Sequence, residues 1–402
     1  MNSRERFLAV MNFEPVDRTM MWDIGYWSDS VRRWHREGLP HRYEVPESVV
    51  GGSTIRGSMN GSKPYWSTKE EPATDQDVVF VVAQEIYDYF GLDQCMVHIP
   101  VHYWIYPAFE QVILEEDDDC VLVRDSVGIV KRDRRDHKSL PHWLRGPVSN
   151  WEDWEQVKAE RLQPHTPGRV PEDWPKLVEE YRHRDYVLSA GGCPGGFYGG
   201  ARHLLGEQLV LTTFIDNPAL MHAIMDHLAD MWIELYDRVL DDVHLDCFFI
   251  WEDMCYKNGP LISPAMFREF MLPNYKRFTA CLRDHGVKQI MVDTDGDARS
   301  LVPLFAEGGV SIMYPLEPPH GMDVVALAKA HPKMRFMGGI DKRKLAVGPA
   351  AIDEELERKV PFMLKRGGYV PYLDHQAPPD ISWENFKYFR QKLNAMIQGK
   401  GY

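Results

Sequence analysis

The chain has 402 residues, 44% of them hydrophobic and 26% charged, which is enough apolar material for a large core and excludes a disordered or fibrous protein. Its formal net charge of -14 opposes binding to phosphate backbones and anionic lipids. No basic run overrides that: Lys131, Arg132, Arg134 and Arg135 are interrupted by Asp133, followed by Asp136, and read as a solvated turn.

In the N-terminal half, residues 3–12 read as a short helix and residues 19–24 as a strand. Residues 51–77, rich in Gly, Ser, Pro and Thr, read as a long surface loop. Residues 121–130 read as a β-hairpin turning at Asp125-Ser126, and 164–175 as a proline-rich connector that is not a domain boundary. Cys95, Cys120, Cys193, Cys247, Cys255 and Cys281 are scattered and form no C-x-x-C pair, so reduced thiols are expected. With no signal-like N-terminus and no apolar run of membrane length, the expectation is a soluble, cytoplasmic protein.

From about Asp185 the chain alternates short apolar runs with helical patterns. The runs lie at 186–190, 246–250, 289–292, 312–316, 335–340 and 369–373. The helices start near Pro218 and Pro264 and then cover about 298–307, 324–330, 350–365 and 383–396. Ser263-Pro264 is an N-cap followed by proline at the first helical position, and Gly286 sits where a C-terminal cap belongs. Continuous apolar strands alternating with helices mean parallel strands buried on both faces. Such strands fit a (β/α)8 barrel or a doubly wound sheet, and no G-x-G-x-x-G follows any of them, which weakens the dinucleotide-binding alternative. The whole of 1–402 is read as one domain, with insertions in 1–184 and regular βα units in 185–402.

In a parallel barrel the loops after the strands converge on one mouth. There the sequence places Trp251, Glu252, Asp253, Tyr256 and Lys257, then Asp293, Asp295 and Asp297, then Glu317, then Asp341 and Lys342, and finally Asp374 and His375. Asp297 and Asp341 read equally well as helix N-caps. Glu252, Asp253, Asp374 and His375 lie too far from the next helix for that, which favours a functional role. Glu252, Asp293, Asp295, Asp374 and His375 make a candidate set of hard metal ligands for zinc, manganese or magnesium. Glu252, Asp295, Lys342 and His375 are the candidate catalytic groups, with His375 either an acid/base, a ligand or a hydrogen-bonded structural group. The glycine-rich run 191–200 could offer backbone amides to a carboxylate or phosphate, and Arg202 could pair with an anionic substrate. Trp22, Asp23, Tyr26, Phe197, Tyr198, Lys257 and Asp341 complete the candidate substrate-binding set, although core packing is the commoner fate of aromatic residues.

Ser3-Arg4-Glu5-Arg6, with Asn12-Phe13-Glu14-Pro15-Val16-Asp17-Arg18, resembles the opening of uroporphyrinogen decarboxylase-like proteins, and the resemblance continues through 290–297, 338–342 and 368–385. It implies a single (β/α)8 TIM barrel. It also implies either tetrapyrrole decarboxylation or the zinc-dependent, corrinoid-linked methyl transfer of the O-demethylase components. The decarboxylases' R-Q-A-G-R stretch is replaced here by Trp22-Asp23-Ile24-Gly25-Tyr26-Trp27, which argues against the first. The methyltransferases' H-x-C ligands correspond to Asp293 and Asp295, and their later cysteine to Asp374 or His375, so a thiolate site has become a carboxylate/imidazole one or the metal is gone. The function expected is therefore transfer of a methyl group from a small methoxylated or methylated compound to a corrinoid protein, which would bring cobalamin, with a divalent metal, zinc among the options. A decarboxylase or lyase of a small acid and a non-catalytic binding barrel are the alternatives. A homodimer is kept as an option, and neither nucleic acid nor membrane is expected as a partner.

Overall fold

The computed structural model describes residues 1–50, 53–56, 59–60, 72–135 and 141–400. Most of the loop expected over 51–77, and Asp136, lie outside them. The chain divides into two compact units, the first made of residues 1–98, 184–188 and 312–402 and the second of 99–183 and 189–311.

The first unit begins with a helix at Ser3–Met11, whose start is fixed reciprocally: the Asn2 side chain accepts from Glu5 N–H while the Glu5 carboxylate accepts from Asn2 N–H. An extended segment, 19–24, leads into β1 (Gly25–Trp27). Alongside it Met21 C=O accepts from Asp93 N–H, just before β2 (Met96–His98). On the other side Thr19 Oγ1 donates to Tyr369 C=O, and Ala377 forms a parallel bridge with Tyr26. Three further strands, β6 (Ile312–Tyr314), β7 (Arg335–Met337) and β8 (Tyr369–Val370), pair in parallel in that order. Their helices are Val324–Ala330, Lys342–Val347 with Pro349–Arg366, and Trp383–Ile397. The core of this unit is aromatic, with Trp34 stacked on Phe386 at 4.3 Å and Trp383 and Phe90 around them.

In the second unit β3 (Leu188–Gly192), β4 (Cys247–Trp251) and β5 (Ile290–Asp293) pair in parallel, with β4 in the centre. The central strand, Cys-Phe-Phe-Ile-Trp, has no polar residue and is buried from Cys247 to Ile250, as a strand covered on both faces should be. Asn217 caps the long helix Pro218–Leu240 and Ser263 caps the one that begins at Pro264, each with proline at the first helical position. A π-turn over Phe267–Met271 interrupts the latter before Leu272–Asp284. Gly286, at φ +83°, ends it as expected. The antiparallel hairpin is present within a four-stranded sheet, turning where Asp125 Oδ1 accepts from Val127 and Ile129 N–H. The basic cluster is a correction: Lys131–Arg134 lies in the strand Val130–Arg134 and not in a turn.

Within each unit parallel strands are followed by helices, as in the (β/α)8 class.

Candidate functional site

Glu252 and the glycine-rich run were each singled out in the sequence, and the structure joins them. The Glu252 carboxylate is fully buried and accepts from Phe197 N–H at 2.9 Å, Tyr198 N–H at 2.7 Å and Gly199 N–H at 2.9 Å, with the Tyr275 hydroxyl as fourth donor. The amides belong to the first turn of the helix Phe197–Leu205, where an anion is favoured. The carboxylate that the run was expected to recognise is thus the chain's own. Glycine is required because a Cβ on Gly196 would lie 2.1 Å from Trp251 C=O, and one on Gly199 2.4 Å from it. Burial pushes the Glu252 carboxyl up to about 7, with the four donors opposing. All its acceptor directions are taken, so Glu252 is a positioning group here and not the open ligand or catalytic acid expected.

Around it the second unit fixes the ends of β4 and β5 to one another. Glu252 and Asp253 N–H both donate to Asp293 C=O, at 2.9 and 3.2 Å, and Met254 N–H donates to Thr294 Oγ1. Asp253 sits at φ +41°, a strained backbone for a residue with a Cβ, held by an ion pair to Arg202. Asp293 and Asp295 are half-buried on this loop. Asp297 is bound at both oxygens by Arg299, so it serves the turn.

Several expected substrate contacts belong to the interior. Arg202 is occupied by Asp253 and Glu207 and lies over the Trp143 ring. Phe197 packs on Trp232 and Tyr275, and Tyr198 stacks on Phe214. Lys257 extends over the exposed Tyr256 ring. In the first unit, Trp22 is buried against Phe7 and donates to Gln94 C=O. Asp23 is buried in an ion pair with Arg390 and accepts from the Tyr26 hydroxyl. These five side chains, Trp22, Asp23, Tyr26, Phe197 and Tyr198, hold the core together and are corrected from binding to structural. Asp341 is corrected in the same way: it caps the helix Lys342–Val347 through Arg343 N–H and pairs with the Arg343 guanidinium.

The first unit gathers Glu317, Lys342 and Asp374. Asp374, on the loop four residues beyond β8, is fully buried, and its Oδ1 accepts from Lys342 N–H at 3.0 Å. Its Oδ2 receives no hydrogen bond from the described residues and lies 3.9 Å from Lys342 Nζ, which is equally far from Glu317 Oε1. His320 in turn faces Glu317 at 3.0 Å. Burial pushes the Asp374 carboxyl up to about 7; Lys342 pulls it down, while Asp341 and Glu317 push it further up. A buried carboxyl with a bare oxygen beside an ammonium group can hold or release a proton near neutrality. His375, half-buried, follows it directly.

Sequence reasoning missed Tyr275 and Arg390. Arg390 had a signal: it is a charged residue on the apolar face of the last helix, beside Phe386, Phe389 and Leu393. Tyr275 shares the face of Phe267, Phe278 and Leu282, so it read as core, and its hydroxyl partner could not be seen.

No protein in a comparison with curated sequences matches the chain. A solved methyltransferase from Methanosarcina mazei is similar in fold, at 14% identity and a TM-score of 0.56, covering 98% of this chain and 100% of its own. A GH26 beta-mannanase from Bacteroides ovatus (13% identity, 57% of this chain, 74% of its own) reaches a TM-score of only 0.30, too low to weigh. The family model described as Uroporphyrinogen decarboxylase (URO-D) matches residues 200–396. Over that stretch the chain is similar to the uroporphyrinogen decarboxylase family.

Proposed function

We propose that the chain is a methyltransferase that removes a methyl group from a small methoxylated or methylated compound and passes it to a corrinoid protein. The family and the methyltransferase of the same fold support the reaction class. The observation that carries the chemistry is Asp374, a buried carboxyl with one bare oxygen beside Lys342. The corrinoid, on its carrier, supplies the methyl acceptor. When the carbon–oxygen bond of a methyl ether breaks, the departing oxygen keeps the electron pair and needs a proton. Asp374 holds that proton at neutral pH and delivers it, and Lys342 then stabilises the carboxylate left behind. His375 is the group through which Asp374 would be reprotonated. Asp293 and Asp295, hard oxygen donors on one loop, are the pair proposed to hold a divalent cation, zinc included. Glu252 does not fit that role, since a metal would have to displace four hydrogen bonds.

The test mixes the purified chain with cob(I)alamin and a panel of methyl donors and follows conversion to methylcobalamin by its spectrum. Conversion that falls by about 100-fold or more in Asp374→Asn is expected, the usual size of general acid catalysis. Carbon dioxide release from small acids without any methyl transfer would replace this reading with a decarboxylase. Turnover undiminished in Asp374→Asn would remove Asp374 from the mechanism.

A further inference from the structure

We propose that Asp237, Cys281 and His285 form a zinc-type metal site that clasps the two long helices of the second unit. The helices Pro218–Leu240 and Leu272–Asp284 pack on each other through Trp232, Tyr236 and Phe278. Asp237 and Asp241 stand four residues apart at the end of the first, and Cys281 and His285 four apart at the end of the second. Residues at that spacing share one helix face, so Asp237 on the first helix faces Cys281 and His285 on the second, with Asp241 behind His285. The ligand atoms of Asp237, Cys281 and His285 lie within 4.8 Å of one another. Donors around tetrahedral zinc stand about 3.2–3.7 Å apart, given bonds of about 2.0–2.3 Å. Small side-chain rotations close that gap, because none of the three is locked in the core.

The surroundings match a metal site beyond the three donors. His285 Nε2 faces Asp237 Oδ1 at 2.9 Å while Nδ1 faces Asp241 Oδ1 at 3.9 Å. A ligating imidazole commonly donates its second N–H to a carboxylate, and Asp241 is placed to receive it. Among the described residues the half-buried Cys281 thiol has only Ile233 C=O, at 4.0 Å, as a hydrogen-bond partner. A bound divalent ion would displace the Cys281 thiol proton, forming the metal–sulfur bond as the S–H bond gives up H⁺ to water. Sulfur, imidazole and carboxylate together select zinc over magnesium or calcium. Asp237 is 69% exposed, which leaves a fourth position open to water. The proposal does not depend on the methyltransferase reading.

Equilibrium dialysis of the full chain against zinc, with metal counted by mass spectrometry, tests it. Cys281→Ser and Asp237→Asn should each bind one zinc fewer than the unsubstituted chain. Cobalt in place of zinc should give a thiolate-to-cobalt absorption band that Cys281→Ser lacks. In the unsubstituted chain, zinc should slow alkylation of Cys281 by about tenfold or more, read by peptide mass mapping, whatever becomes of the variants. An unchanged metal count in both variants, or alkylation of Cys281 at the same rate with and without zinc, overturns the site.

Discussion

At the scale of single residues, two buried carboxyls that follow strands have opposite roles, and hydrogen bonding tells them apart. Glu252 is saturated, whereas Asp374 keeps one oxygen bare. Glu252→Gln places an amide NH2 where an oxygen accepted two donors. The Tyr275 hydroxyl can reverse to accept from it, but one backbone N–H of the helix start is stranded. The expected loss is about 1–3 kcal/mol in urea unfolding; an unchanged midpoint would show that the carboxylate does not hold the loop. Asp374→Asn should move stability the other way. The carboxyl is raised from its ordinary 3.8 to about 7, so its contribution is complete below about pH 4 and is lost as pH climbs through 7. Asparagine has nothing to ionise. The variant should therefore gain roughly 1–3 kcal/mol over the parent near pH 8 and nothing near pH 4, while losing activity. Equal stability differences at the two pH values would mean that Asp374 is not held protonated.

At the scale of elements, the parallel strands and their helices were legible because each carries its own punctuation. Ser263-Pro264 opens a helix, Gly286 closes it, and Val324–Ala330 falls where its pattern placed it. Side-chain partners were not legible, because they are set by residues far off in sequence. Phe197 meets Glu252 across 55 positions and Asp23 meets Arg390 across 367. The conspicuous residues near strand 1, Trp22, Asp23 and Tyr26, were therefore mistaken for a binding surface when they answer a buried guanidinium. Local spacing also leaves Asp341 undecided between helix cap and substrate contact, and the hydrogen bond to Arg343 N–H decides it. The buried pair makes a prediction about the last helix. Arg390→Met leaves Asp23 in the core with its guanidinium partner gone and should cost about 3–5 kcal/mol. Adding Asp23→Asn should restore part of that loss, and a double-mutant cycle measures the coupling. Additive losses would mean that the two side chains do not depend on each other.

At the scale of the whole molecule, the first unit is closed by the chain's own beginning and end. Thr19 reaches Tyr369 C=O across 350 positions, and Ser30 and Trp34 reach Ala377 and Ile381 C=O across 347. The opening motif belongs to the same closure: Arg6 binds both Asp17 and Asp93, and Arg18 binds Asp93, whose carboxylate also receives Met21 N–H. Arg6, Asp17 and Arg18, from the N-terminal stretches that carry the family resemblance, are thus held in ion pairs and are no part of the candidate site. Contacts this distant in sequence return nothing until most of the chain is ordered, which predicts slow folding. They also predict the effect of a truncation. Removing residues 1–27 takes away the strand that bridges to Ala377, leaves Asp93 without either arginine, and leaves Arg390 buried without Asp23. Each unpaired buried charge alone costs about 3–5 kcal/mol, and together they approach the whole of a typical stability of about 5–15 kcal/mol. The 28–402 fragment should show no cooperative thermal transition by circular dichroism and should be cut readily by protease at 25 °C. A fragment that melts cooperatively at the temperature of the full chain would show that the first strand and its ion pairs are dispensable, and that the first unit closes by other contacts.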